Sequence, residues 1–145
     1  MESKGELYMK HRDYINEKVH GLYWNDDLNC ATTTLITLSE IFQINLGSQI
    51  INAAIGMHGA GKYGAQCGLA EGSLMFLGIL GKEKGLENEE IVTRCYNFAM
   101  EFEKEFGSIN CRDLRPQGFK PDNPSHLCEE ITKKAIAFTL NYLNC

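Results

Sequence analysis

Proline is scarce, three in 145 residues, and no alternation of apolar and polar residues lasts more than a few positions. The first shortage argues against a Pro-rich disordered chain, and the second argues against a sheet. No dense basic tract occurs. The 14 Lys and Arg are scattered among 19 Asp and Glu, for a net charge of −5, which excludes non-specific nucleic-acid binding. Long hydrophobic runs are missing too. The longest, LMFLGIL at residues 74–80, is far too short to span a bilayer, so no membrane insertion is expected. The N-terminal stretch MESKGELYMKHRDYINEK is charged and has no apolar signal core, so a cytoplasmic location is expected. Finally, there is no C-x-x-C, so zinc-knuckle and thioredoxin-like motifs have no support.

Helical spacing is what the chain does have. Leu7, His11, Ile15, Val19 and Leu22 space out one helix over residues 6–22, with His11 a half-buried core residue. Leu28, Ala31, Leu35, Leu38 and Phe42 space out a second over 27–43, with Asp26 or Asp27 as its N-cap. Residues 48–55 suit helix or strand. Residues 66–81 are apolar nearly all round, as a central helix buried by its neighbours should be. Asn88 caps the next helix, whose inner face is Ile91, Cys95, Phe98, Phe102 and Phe106, and Gly107 ends it. The last helix begins at Asn123 and Pro124 and turns Leu127, Ile131, Ala135, Phe138 and Tyr142 inward. The expectation is one all-α domain over 1–145, a bundle of five or six helices around residues 66–81, with a Gly-rich loop at 56–66.

That loop reads GMHGAGKYGAQCGLAEG over residues 56–72. Gly56, four residues, Gly61 and Lys62 make most of a Walker A loop. Tyr63, however, stands where a Ser or Thr hydroxyl must reach Mg²⁺, and no parallel sheet is available to carry the loop. A phosphate site is therefore rejected. The same stretch delivers Cys67 to the start of the central helix.

Six cysteines remain to be placed. Cys30, Cys67 and Cys128 fall at the starts of three helices, where free N–H groups and the helix dipole favour thiolates. Cys111 lies in a loop before an Asp-Leu-Arg segment. Cys95 sits mid-helix on an apolar stripe and reads as a small buried hydrophobe, and Cys145 is the exposed last residue. The four can hold zinc, ligate an iron–sulfur cluster, or work as two redox pairs. They can also be scattered free thiols. Thr33, Thr34 and Thr37, on the Cys30 side of their helix, either satisfy backbone carbonyls or donate to sulfur, the first reading being preferred.

NCA at 29–31, the glycines leading to CGLAEG at 67–72, FGSINCRDL at 106–114 and Cys128 resemble the redox-active family named C_GCAxxG_C_C. The resemblance runs from Cys30 to the last helix. It implies that Cys30, Cys67, Cys111 and Cys128 are the characteristic cysteines, and it matches Gly68 and Gly72 to the glycines of the central motif. Leu69 departs from it, standing where the family has Ala. The resemblance also implies a redox role and an oxidoreductase or transporter as partner.

Two lines of chemistry follow. In the first, Cys30, Cys67, Cys111 and Cys128 converge on a metal centre for electron transfer, an iron–sulfur cluster being preferred to zinc because Gly59, Gly61, Gly64 and Gly68 supply N–H donors to cluster sulfurs. In the second, no metal is kept and Cys67 attacks a substrate, with another cysteine resolving it. His58 is a candidate partner for Cys67, and His126 stands near Cys128. A non-catalytic helical module is the third reading. The apolar central helix also raises a homodimer as an expectation.

Overall fold

The computed structural model describes residues 4–116, 118–120 and 122–144, and their side chains except for residues 4–9 and 125. Among the described residues the protein is all-α. The long helices are α1 (Lys4–Trp24), α2 (Cys30–Ile41), α5 (Gly68–Glu83), α6 (Asn88–Phe106) and α8 (Glu129–Leu143). Three short segments lie between them: α3 (Ser48–Ala53), α4 (Gly59–Lys62) and α7 (Cys111–Leu114), and a 3-10 turn at Ser125–Cys128 leads into α8.

The centre is α5, which packs most extensively on α2 and then on α6 and α8, while α1 lies along α8. Contact between α5 and α2 is close because Gly72 faces the Ala31 carbonyl, where a Cβ would stand 2.7 Å from the oxygen. Leu69, Ala70, Phe76, Leu77 and Leu80 of α5 meet Ala31, Leu35 and Leu38 of α2 in one buried cluster. Full burial of each larger side chain contributes roughly 1.5–3 kcal/mol. Helix α6 buries only the narrow stripe Ile91, Phe98 and Phe102. Phe102 meets Phe138 of α8 edge-on, with ring centroids 6.1 Å apart, a favoured aromatic geometry.

Helix α2 buries four threonines, residues of modest helix propensity. Packing overrides that preference, and two of the hydroxyls bond locally. Thr34 Oγ1 donates to the Cys30 carbonyl at 2.7 Å, and Thr32 Oγ1 donates to the Asn29 carbonyl at 3.1 Å. The carbonyl reading therefore holds for Thr34, whereas the Oγ1 atoms of Thr33 and Thr37 are buried without a partner.

Several boundaries differ from the sequence expectation. Asn29, not Asp26 or Asp27, caps α2, its Oδ1 accepting the Thr32 N–H at 3.0 Å. Asn88 is the first residue of α6 and Glu87 its cap position. The segment at 48–53 resolves to helix. After Pro124 the chain makes the 3-10 turn before α8 begins, so Cys128 takes the cap position of α8. Cys111 opens α7 instead of lying in an open loop. Gly107 ends α6 in the left-handed conformation, at φ +87°.

Candidate functional site

Two cysteines are set side by side by the backbone. Residues 64–67 run antiparallel to 109–112, with a lone bridge between Gln66 and Asn110. Within it Cys67 N–H donates to the Ile109 carbonyl at 2.8 Å, and Cys111 N–H donates to the Ala65 carbonyl at 2.7 Å. Cys67 is thereby fixed at the cap position of α5 and Cys111 at the start of α7. Cys30 comes in as the first residue of α2, and Cys128 as the last of the 3-10 turn.

The glycines make room for sulfur. A Cβ on Gly68 would stand 2.3 Å from Cys30 Sγ, and one on Gly59 would stand 2.9 Å from Cys111 Sγ. Gly59 also has φ +68° and opens a left-handed turn through Ala60, Gly61 and Lys62, at φ +54°, +64° and +70°. An alanine or lysine rarely adopts that region, so the turn is held by its surroundings. Gly61 is exposed with nothing within 4 Å, and Gly64 faces Arg112 and Phe119. Of the four glycines named above, Gly59 and Gly68 abut sulfurs, and Gly61 and Gly64 do not.

Cys30, Cys67, Cys111 and Cys128 line one cavity of about 20 Å³, walled by Leu69, Leu114 and Ile131 and by two polar side chains, His58 and Arg115. All four thiols are free. Cys30, Cys67 and Cys111 are 9%, 6% and 8% exposed, while Cys128 is only half-buried. Cys95 is elsewhere, with Sγ 4.0 Å from the Leu74 carbonyl and half-buried. Cys145 lies outside the described residues.

Burial governs the chemistry of these thiols. It pushes Cys67 up to about 12, against the opposing N–H groups of Leu69 and Ala70, with the neighbouring Cys111 and Cys128 adding to the rise. Burial raises Cys30 well above the ordinary thiol range, with Cys67 the next cause. The helix-start N–H groups expected to favour a thiolate are thus present at Cys67, but desolvation outweighs them. Cys128 is also raised by burial and by Cys111, yet Arg115 pulls it back down. The Arg115 Nη1 lies 4.0 Å from Cys128 Sγ. Its Nη2 donates to the carbonyls of Asn123 and Pro124, which ties the preceding loop to the 3-10 turn.

His58 is oriented by Asn29. The Asn29 Oδ1 is engaged by the Thr32 N–H, so its amide nitrogen donates to the Ile55 carbonyl at 2.6 Å and to His58 Nδ1 at 3.0 Å. Nδ1 therefore accepts, and the neutral ring carries its proton on Nε2. Burial, then Lys62 and Arg115, lower the His58 pKa, with the Ile55 carbonyl opposing. Tyr23, buried and hydrogen-bonded at 2.7 Å to Thr132, feels Cys30, Cys128 and Cys67 electrostatically. His126 does not line the cavity; its ring stacks on Trp24 with centroids 4.0 Å apart.

A metal centre needs three or four of these sulfurs deprotonated and turned toward one point. Among the described residues no group of three or more His, Cys, Asp or Glu side chains is so arranged. As arranged here, the four thiols do not make a preformed ligand set.

Arg115 is the residue that spacing could have revealed, because it lies one helical turn after Cys111 and its N–H closes that turn on the Cys111 carbonyl at 3.0 Å. Leu114, Ile131 and Tyr23 carry no comparable signal, being ordinary apolar or aromatic positions in three separate elements. Leu69 is 1% exposed and forms part of the cavity wall.

No helix among the described residues is long and apolar enough to cross a membrane. An uncharacterized protein of Archaeoglobus fulgidus is 28% identical over 131 residues, covering 82% of this chain and 87% of its own. No solved structure matches the chain. Residues 28–142 match the family described as "Putative redox-active protein (C_GCAxxG_C_C)". That span takes in all four pocket cysteines and runs from α2 to the last turn of α8, and the chain belongs to the C_GCAxxG_C_C family of redox-active proteins.

Proposed function

We propose that the chain is a thiol–disulfide redox protein in which Cys30, Cys67, Cys111 and Cys128 act as one site and Cys128 meets the substrate. The observation that carries this reading is that four free thiols line a single cavity, and the one that is half-buried has a guanidinium beside it. A thiolate attacks faster than a thiol, and access decides which sulfur is attacked. Cys128 is the most accessible of the four, and Arg115 offsets part of the rise that burial imposes on its thiol. Cys67, the nucleophile of the metal-free expectation, is buried and its pKa of about 12 keeps it protonated, so its part here is inside the pocket. Electron transfer through a metal is not carried forward, because the thiols do not make a ligand set.

The co-reactant is a disulfide. Cys128 Sγ attacks one of its sulfurs, the S–S bond breaks, and the leaving thiolate takes up the proton that Cys128 gave up. Cys111, the sulfur whose charge Cys128 feels, then attacks the mixed disulfide and releases the second thiol. Two protein thiols become one disulfide, and one substrate disulfide becomes two thiols. Cys30, which feels Cys67 more than the other two sulfurs, forms with it a second pair behind the first.

Reduced protein mixed anaerobically with 2-hydroxyethyl disulfide tests this. The expected result is loss of thiols two at a time, slowed at least about tenfold in Cys128→Ser, the size of effect expected when an attacking group is removed. Wild-type rates in Cys128→Ser, or stoichiometric iron or zinc in the purified protein, overturn it.

A further inference from the structure

We infer that the pocket is selective for a small disulfide or thiol bearing a carboxylate within one or two carbons of its sulfur, with Arg115 as the group that holds the carboxylate. This rests on the thiol–disulfide reading of the same site.

The chain is acidic overall, with a net charge of −5, yet no carboxylate lines this cavity; its polar wall is the Arg115 guanidinium and the His58 imidazole. Arg115 is incompletely used. Its Nη2 is committed to two backbone carbonyls, and Nη1 stands beside Cys128. Its Nε is buried with no hydrogen-bond partner among the described residues. A buried guanidinium N–H without an acceptor is costly, and such groups are rare in native structures unless something else completes them. The missing acceptor is anionic by complementarity, and one carboxylate oxygen supplies a charge-assisted acceptor for the lone Nε–H.

Placement fixes the substrate class. The guanidinium is already beside Cys128 Sγ, so an anion held there on a molecule whose sulfur is under attack must sit close to that sulfur. The second polar group adds to this. His58 is held at Nδ1 by Asn29 and gives the cavity a second polar side chain that carries no negative charge. Leu114 and Ile131 supply an apolar side for the short carbon chain. A disulfide with ammonium groups in the same positions would meet a guanidinium in a partly desolvated wall, where like charges repel.

Three disulfides of similar size make the test: dithiodiglycolate with two carboxylates, neutral 2-hydroxyethyl disulfide, and cystamine with two ammonium groups. Each rate of protein oxidation is divided by the rate of the same disulfide with dithiothreitol, which removes its intrinsic reactivity. Dithiodiglycolate is expected to lead cystamine by about tenfold or more, the scale of one charge-assisted hydrogen bond. In Arg115→Gln, with folding checked by circular dichroism, the ranking should collapse. Because the wild-type ranking needs no variant, a misfolded Arg115→Gln leaves that arm decisive. Equal normalised rates for all three overturn the substrate class and leave the thiol reading standing. A ranking that survives in folded Arg115→Gln overturns the assignment to Arg115. Failure of all three to react overturns both readings.

Discussion

Gly68 sets how closely α5 approaches Cys30. A Cβ there would meet Cys30 Sγ at 2.3 Å, the Ala31 nitrogen at 3.0 Å and the His58 Cα at 3.1 Å, two of which are backbone atoms that cannot swing aside. Gly68→Ala should cost about 1–3 kcal/mol, the usual range for overpacking. Gly78 lies in the same helix with nothing within 4 Å, so Gly78→Ala should stabilise by about 0.5–1 kcal/mol through helix propensity. Urea unfolding of the two variants checks the contrast, and two effects of the same sign would contradict it. The thiols make a second prediction at this scale. Cys67 titrates near its ordinary value of 9.0 when unfolded and at about 12 when folded, so between these values only the folded chain keeps the proton. Stability is fully present below pH 9 and lost as pH rises toward 12, by about 1.4 kcal/mol per unit for this one group. Cys67→Ala should flatten the alkaline limb of unfolding free energy against pH. Cys30 is raised by the same cause and adds to the slope that remains.

Asn29 does two jobs for α2, and they can be separated. Its Oδ1 caps the helix, and its amide nitrogen ties the loop at Ile55 and His58. Asn29→Ala should cost about 1–2 kcal/mol from the lost cap, whereas Asn29→Asp should restore the cap and not the loop contacts. Thermal unfolding ranks the three proteins, and an alanine variant as stable as wild type would contradict the capping role. Glu129 of α8 accepts from Trp24 Nε1 at 2.8 Å, pairs with His20 Nδ1 at 2.9 Å, and pairs with Lys133 Nζ at 2.8 Å. Burial opposes its charge, but the bonds from Lys133, His20 and Trp24 hold its carboxyl down at about 2. Its contribution is present above the ordinary value of 4.5 and lost as pH falls toward about 2. Glu129→Gln should lower stability at neutral pH and leave a shallower acid limb. The five long helices were legible because each carries enough apolar residues at helical spacing to mark a face. The short elements were not. A Pro124 that looks like a first helical residue instead precedes a 3-10 turn. The left-handed turn at 59–62 puts Ala60 and Lys62 where neither residue prefers to be, a choice set by tertiary packing of Gly59 on Cys111.

Across the whole molecule, the pocket draws on α2, α5, α7, α8 and the 3-10 turn, with His58 from the glycine loop. The cysteines could be picked out because each begins or abuts a helical segment and because their order and setting match a family pattern. Their neighbours could not, since Arg115 and Cys128 lie 13 residues apart in separate elements and meet only through tertiary structure. Thiol acidity was misjudged for a related reason. A helix start is a local feature and argues for a thiolate, but burial is a property of the assembled core and prevails at Cys67 and Cys30. The most direct measurement of the central claim is peptide mapping of disulfides by mass spectrometry after limited oxidation of the wild-type chain. The account predicts an intramolecular Cys111–Cys128 bond first and a Cys30–Cys67 bond later, with Cys95 still reduced. A first bond that omits Cys128, or that joins a pocket cysteine to Cys95, would contradict it.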